Sequence, residues 1–224
     1  MKSAIRNASV AAAALLLGLS ATAIARADDK PTLAFVVNGA SDFWKAAEAG
    51  VKKAQAELPN YTLELKYPEQ SSVAIQQRLM DDLVTAGVKG IMVSAVDPKT
   101  STDGLNKIAS ETALFTTDSD APQTKRVAYI GSSNIDAGKL GQITVVGFDD
   151  DPITLGGVKE GTVAATVVQQ PFEWAYQGMK LMAAYLGGDK SGIPEGGLII
   201  VPTKIIGKDD VDAYAANLKA MSGN

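Results

Sequence analysis

The sequence contains no cysteine and no histidine. Their absence excludes a thiolate nucleophile, a Ser/His/Asp triad, an imidazole general base and a zinc site built from the usual ligands. Catalysis would have to rest on carboxylates, lysine or tyrosine. No disulfide can hold the fold, so burial of apolar side chains must do so. We therefore predict no catalytic residue, no metal site and no cofactor.

Long apolar runs are also scarce, and only the N-terminus has a marked one. Lys2 and Arg6 precede an apolar run over 8–19, and Ala25 and Ala27 supply the small residues that a signal peptidase reads. The run is too short to remain as a membrane-spanning helix. We expect residues 1–27 to be a signal peptide cleaved after Ala27, which predicts a soluble protein exported to a bacterial periplasm.

The sequence has no cluster of basic residues. Cleavage would leave 18 Lys and Arg against 25 Asp and Glu, a formal charge of −7. Nucleic acids and anionic lipids are bound by concentrated positive charge, so neither is an expected partner.

Apolar spacing alternates between the strand and helix periods along the rest of the chain. Up to residue 117 the order is βαβαβαβ, and a further strand follows over 127–131, which predicts an α/β fold with a doubly wound, mostly parallel sheet. Further on, the pattern predicts strands over 143–148, 162–168 and 198–201, and helices over 171–186 and 208–221.

Two adjacent aromatic residues follow the first strand of the predicted sheet. The strand over 33–37 leads through a short loop, with Ser41 as the expected N-cap, into a helix whose first turn carries Phe43 and Trp44. Open α/β sheets hold ligands at the carboxyl ends of their strands, so this position favours a small-molecule site. Ordinary core packing of the two rings is the alternative.

Acidic residues follow later strands in the same way. Asp118 and Asp149 come directly after buried strands, and ligand contact is favoured for both over turn or cap formation. Asp97, which precedes a proline, is better explained as a turn former. Asp149, Asp150 and Asp151 lack the spacing of a calcium loop, so we do not predict a metal there.

Five segments together resemble the ribose-type periplasmic sugar-binding proteins, the solute receptors of ABC importers. They occur in the family's order and extend over nearly all of the mature chain, at 33–50, 116–122, 128–134, 145–149 and 165–171. The resemblance implies two doubly wound lobes with a sugar clamped between them and no enzymatic activity. The same fold forms the effector domain of LacI-type repressors.

The resemblance also implies which residues contact the sugar. On the first lobe Ser41 would line the site, and the rings of Phe43 and Trp44 would cover the apolar face of the sugar. Side chains on the sugar hydroxyls would be Asp118, Ser119, Asp149 and Gln169. This chemistry is coherent without the family, because carboxylates and amides bind hydroxyl groups and aromatic rings pack on C–H faces.

The chain departs from the family pattern after residue 136. In relatives, one Ala-Gly-Lys stretch starts the second lobe and a similar one precedes the strand that ends at Asp149, with about three βα units between them. This chain has a single such stretch, Ala137-Gly138-Lys139, where relatives have two. We interpret this as an internal deletion. It predicts a complete first lobe (28–132 and 170–198) and a truncated second lobe (133–169 and 199–224).

Three classes of function remain at the sequence level. The leading one is binding of a monosaccharide or related polyol for an ABC permease, weakened by the lost second-lobe contacts, with exposed strand edges that favour dimerisation. The second is a LacI-type regulator, which the export signal and the missing basic DNA-binding helices disfavour. The third is a carbohydrate-active enzyme using a pair among Asp118, Asp149 and Asp150.

Overall fold

The computed structural model describes residues 30–133 and 146–222. Six strands form one sheet in the order β2-β1-β3-β4-β5-β8, with every neighbouring pair parallel. Its strands are β1 (Thr32–Val36), β2 (Thr62–Lys66), β3 (Gly90–Val93), β4 (Ala113–Thr117), β5 (Ala128–Gly131) and β8 (Leu198–Ile200). The doubly wound parallel sheet predicted for the first lobe is confirmed.

Helices cover both faces of this sheet. They are α1 (Phe43–Glu57), α2 (Val73–Thr85), α3 (Thr102–Glu111) and α5 (Pro171–Leu186). Alternate residues of β1 point to opposite faces. Leu33 and Phe35 pack in the core that includes residues of α1 and α5, whereas Ala34 and Val36 pack in the core that includes residues of α2 and α3.

The close approach of α5 to α1 depends on a glycine. A Cβ added to Gly50 would lie 2.2 Å from the carbonyl oxygen of Phe172. At the rim, Tyr176 donates a hydrogen bond to Glu57, and Lys180 pairs with the same carboxylate at 2.7 Å. A helix that follows residue 170 therefore packs with α1 on one face of the six-stranded sheet.

Three further strands form a second, smaller sheet in the order β6-β7-β9. Here β6 (Val146–Phe148) runs parallel to β7 (Ala165–Val168), and β9 (Lys204–Gly207) runs antiparallel to it. With α4 (Pro152–Glu160) and α6 (Val211–Ser222) they surround a small core. Its buried residues are Leu155, Val158, Val168, Ile206 and Val211.

Several predicted boundaries differ from the observed ones. Strand β8 joins the six-stranded sheet and ends at Ile200, one residue before the predicted end at 201. Helix α4 and strand β9 were not predicted, and β7 begins at Ala165 instead of residue 162. Of the strand predicted over 143–148, residues 143–145 lie outside the described part of the chain.

The N-cap prediction for Ser41 is wrong. Helix α1 begins at Phe43 with Asp42 in the N-cap position, and Asp42 makes no side-chain capping bond. Its carboxylate instead pairs with Lys45 at 2.9 Å.

We expect Gly50→Ala to lower the free energy of unfolding by about 1–3 kcal/mol, because the added methyl group overlaps the Phe172 carbonyl. Gly156→Ala in α4 is the control. Its Cβ would meet nothing within 4 Å, so the better helix propensity of alanine should raise stability by up to about 1 kcal/mol. Thermal and urea unfolding followed by circular dichroism measure both. Equal stability of the two variants would contradict the packing argument.

Candidate functional site

Two aspartates occupy a backbone conformation that is unusual for residues other than glycine. Asp118 follows β4 with φ +56°, and Asp149 follows β6 with φ +67°. Within residues 30–133 and 146–222, these are the two non-glycine residues with positive φ. Left-handed backbone is rare outside glycine and clusters at functional sites, and aspartate tolerates it better than most residues. Both conformations therefore mark strand ends where a site is expected.

The backbone of each aspartate is held by a hydroxyl from a neighbouring strand. Thr166, fully buried on β7, donates from Oγ1 to the Asp149 carbonyl at 2.7 Å, and the Asp149 N–H donates to the Val167 carbonyl at 2.9 Å. Tyr129 on β5 donates to the Asp118 carbonyl at 3.2 Å. The sheets thus fix where both carboxylates emerge.

The Asp118 carboxylate has hydroxyl partners on one oxygen. Ser94, fully buried after β3, donates from Oγ to Oδ2 at 2.8 Å, and Ser119 donates to the same oxygen at 3.4 Å. Burial raises the pKa of Asp118, and these hydrogen bonds oppose the rise. The hydrogen bonds thus fix the orientation of the carboxyl group, and its burial makes ionisation unfavourable.

The Asp149 carboxylate is less well satisfied. Its Oδ1 atom is buried and has no hydrogen-bond partner among the described residues. Burial, followed by repulsion from the charges of Asp150 and Asp118, raises its pKa to about 6. Because the charge of Asp118 contributes to that shift, the two carboxyl groups share one electrostatic environment across the two sheets.

A cleft of about 830 Å³ lies beside Asp149, between the first turn of α1 and the smaller unit. Phe43 lines one side, and Leu155, Ala215 and Leu218 give the opposite side an apolar part. The volume is within the range of about 300–1,000 Å³ typical of ligand pockets. The cleft thus combines carboxylates with an aromatic ring and aliphatic side chains.

Only one of the two predicted aromatic residues lines this cleft. Phe43 is partly buried there, whereas Trp44 is 2% exposed and packs edge-on against Phe35 and Phe43 at centroid distances of 5.6 and 4.8 Å. The Trp44 Nε1–H donates to Oδ1 of Asn38 at 3.1 Å. This corrects the prediction for Trp44, which is a core residue.

The remaining predicted site residues are spread over neighbouring positions. Ser41 is exposed, and its carbonyl accepts a hydrogen bond from the Trp44 N–H at 3.2 Å. Gln169 lines a second cavity of about 290 Å³ that shares Asp150 and Leu218 with the large cleft. Neither Asp118 nor Ser119 lines the large cleft itself.

The three consecutive aspartates have three separate roles. Asp150 accepts a hydrogen bond from Tyr214 at 2.7 Å, and Asp151 caps α4 by accepting from the Ile153 and Thr154 N–H groups. Of the three, Asp149 is the one with a buried carboxylate oxygen that has no partner among the described residues. Over the described ranges, no three acidic side chains come together as a metal-binding group.

Sequence reasoning missed Ser94 and Tyr129, which donate hydrogen bonds to Asp118, and Gln76, which bonds to the backbone of Ser94. Ser94 carried a usable signal, because a polar residue close after the buried apolar strand β3 stands where parallel strands present ligand groups. Tyr129 and Gln76 gave no such signal, because Tyr129 reaches Asp118 from another strand and Gln76 reaches Ser94 from helix α2.

Among the helices of residues 30–133 and 146–222, none is both long enough and apolar enough to span a membrane.

A family model described as a periplasmic binding protein domain matches the chain in two segments, 33–141 and 135–190. The two segments share residues 135–141, which lie outside the described structure. No curated protein gives a significant match.

Solved structures with the same fold include a solute-binding protein from Burkholderia graminis in complex with D-arabinose, at 18% identity and TM-score 0.73, covering 84% of this chain and 99% of that one. A glucose-galactose binding protein from Geobacillus stearothermophilus has 21% identity and TM-score 0.69, covering 80% and 98%. A Bacillus halodurans solute-binding protein with bound myo-inositol has 13% identity and TM-score 0.67, covering 85% and 99%.

The raised pKa of Asp149 predicts a pH-dependent stability. The folded value of about 6 lies above the ordinary 3.8, so between about pH 4 and pH 6 the native state holds the proton more tightly than the unfolded state. Stability should therefore fall as the pH rises through this window. Asp149→Asn removes the charge, so its melting temperature should exceed that of the native chain at pH 7.5 and approach it near pH 4.

The control for this measurement is Asp82→Asn, an exposed residue of α2 on the far face of the six-stranded sheet. Its difference from the native chain is the baseline for an aspartate-to-asparagine change on the surface. An Asp149→Asn difference that changes no more with pH than this baseline would show that the pKa of Asp149 is not raised.

Proposed function

The chain belongs to the periplasmic binding protein domain family, and from this premise we propose that it binds a monosaccharide or related polyol between its two sheets for an ABC importer. The observation that carries the proposal is the pair Asp118 and Asp149. They stand at the carboxyl ends of strands in the two sheets, in the same left-handed conformation, and interact electrostatically. A ligand that bonds both would connect the two units.

The chemistry of these groups suits a polyhydroxylated ring. Sugar hydroxyls donate hydrogen bonds, and the unpartnered Oδ1 of Asp149 is a buried acceptor that lacks a donor. Leaving such an acceptor unsatisfied costs about 1–3 kcal/mol, which a ligand hydroxyl would recover. Phe43 at the cleft offers a ring to the C–H face of a sugar.

The ligands of similar folds support the same class of compound. Structures of this fold are described with D-arabinose and with myo-inositol, and another as a glucose-galactose binding protein. At 13–21% identity these relatives share the fold, and their ligands differ. We therefore propose the class and leave the individual sugar to experiment.

We further propose that the second lobe is shortened by an internal deletion. The two segments of the family match overlap over 135–141, as expected where one stretch of chain stands in place of two similar ones. The smaller sheet has three strands against six in the larger one. The division of the chain that we propose assigns residues 28–132 and 170–198 to the first lobe, and residues 133–169 and 199–224 to the second.

Membership of the family supports export, and the partners named here are further proposals. The family name implies an extracytoplasmic location. We propose that the signal peptide is cleaved after Ala27, and determination of the N-terminal residue of the exported protein would test this. An ABC permease is the proposed membrane partner. Strand β6, at the edge of the smaller sheet with Phe148 46% exposed, supports weak self-association.

A carboxylate-based glycosidase is the second candidate. One observation favours it: the pKa of Asp149 is raised to about 6 and the pKa of Asp118 is also raised, and interacting carboxyl groups with perturbed pKa values are typical of acid–base catalysis. Turnover of a chromogenic glycoside that is lost in Asp149→Asn would favour the enzyme over the binding protein.

We expect a panel of monosaccharides, screened by thermal shift and then by titration calorimetry, to contain at least one ligand. Asp118→Asn should weaken its binding about 10- to 100-fold, because a hydrogen bond to a charged group contributes about 1.5–3 kcal/mol. Asparagine also tolerates the left-handed backbone. Asp82→Asn should bind as the native chain does. A ligand that both variants bind equally well would place the site elsewhere. If no sugar in the panel binds to the native chain, the proposal is overturned.

We expect the affinity of the native chain to be millimolar. Loss of several second-lobe hydrogen bonds, at about 0.5–1.5 kcal/mol each, converts a micromolar receptor into a millimolar one. A matched variant with the missing βα units of a family member inserted after residue 141 should bind at least tenfold more tightly. A micromolar dissociation constant for the unmodified chain would contradict this expectation.

A further inference from the structure

The buried amide of Gln76 connects two strand ends beneath the site. Gln76 lies on α2 and is 1% exposed. Its Nε2 donates to the carbonyl oxygens of Val37 at 3.0 Å and Ser94 at 2.8 Å, and its Oε1 accepts from the Val96 N–H at 3.1 Å. The amide thus satisfies backbone groups just beyond β1 and β3, where the strand-to-strand bonding ends.

The strand end that Gln76 holds carries the partner of Asp118. Ser94 uses its carbonyl to accept from Gln76 and its Oγ to donate to Oδ2 of Asp118 at 2.8 Å. Both Gln76 and Ser94 are buried, so water does not compete for these bonds. A continuous series of hydrogen bonds therefore runs from α2 through Ser94 to the carboxylate.

We propose that Gln76 is a positioning residue, which acts through Ser94 to fix the carboxylate of Asp118 for ligand binding. The proposal rests on the proposed function for its ligand. Gln76 itself need not touch the sugar. Its contribution is to set the place of Ser94, so that one oxygen of Asp118 is engaged within the protein and the carboxyl plane is fixed before a ligand arrives.

The amide chemistry of this position explains why glutamine is needed there. Two carbonyl oxygens require donors and one N–H requires an acceptor, and an amide provides both at once. A carboxylate would face the two carbonyls with acceptors only. A methionine of similar length would leave all three backbone groups without partners. Gln76→Met is therefore the informative variant, and Ser94→Ala removes the next bond in the series.

The first measurement needs no ligand. Carboxyl ¹³C NMR of the full chain reports the titration midpoint of Asp118, which the Ser94 hydrogen bond lowers. We expect the midpoint to rise in Ser94→Ala and in Gln76→Met. Ile108→Val, a buried substitution in the core on the same side of the sheet, serves as the stability control and should leave it unchanged. Asp149 and Tyr129 also interact with this carboxyl group, and they are retained in every variant.

The second measurement is titration calorimetry with D-arabinose as the probe, or with the best ligand of the panel if arabinose fails. Gln76→Met should bind about 2- to 10-fold more weakly than Ile108→Val, the effect of one misaligned hydrogen bond. If Gln76→Met does not fold, Gln76→Asn, which keeps a buried amide, takes its place in both measurements.

The outcomes separate this proposal from the one on which it rests. If the titration midpoint of Asp118 moves in Ser94→Ala but not in the Gln76 variant, the positioning role is overturned. Gln76 then has a structural role only. The same holds for equal affinities of the Gln76 and Ile108 variants. Absence of sugar binding by the native chain overturns the proposed function, and the NMR comparison then still decides whether Gln76 positions Asp118.

Discussion

The packing of α5 onto α1 and β1 is the interaction on which the rest of the structure depends. Trp44 and Trp174 are both buried in the core where these elements meet, and Gly50 allows the two helices to approach closely. Because α5 follows the strands β6 and β7 in sequence, the first lobe cannot be completed until the chain has passed through the smaller unit. The two units are therefore coupled by chain connectivity as well as by contacts.

Much of the larger sheet could be predicted from the sequence, because its strands are continuous apolar runs buried on both faces. In β2, Leu63 and Leu65 alternate with polar residues, which is typical of a strand with one wetter face, and β2 lies at the edge of the sheet. The smaller unit was harder to predict. Helix α4 begins with the Pro152 turn that Asp151 caps, and β9 contains only four residues, so neither presents a long periodic pattern.

The candidate site was predictable at its strand ends and not in its details. Asp118 and Asp149 follow strands in sequence, and this local fact sufficed to select them as candidates. Which of Phe43 and Trp44 faces the cleft depends on the rotation of α1 against Phe35, a tertiary property that adjacent residues do not encode. The contacts of Gln76 join positions 18 and 39 residues apart along the chain, so only the folded sheet reveals them.

The small core of the second unit has a consequence for how the molecule opens. Its five buried apolar residues contrast with the two extended cores of the first lobe, so its local unfolding costs less free energy than unfolding of the whole chain. Amide hydrogens of β6 and β9 would exchange with solvent through such partial openings, while those of β1 and β3 would wait for global denaturation. In a compartment that contains proteases, the first cuts would fall in the smaller unit and spare the larger one.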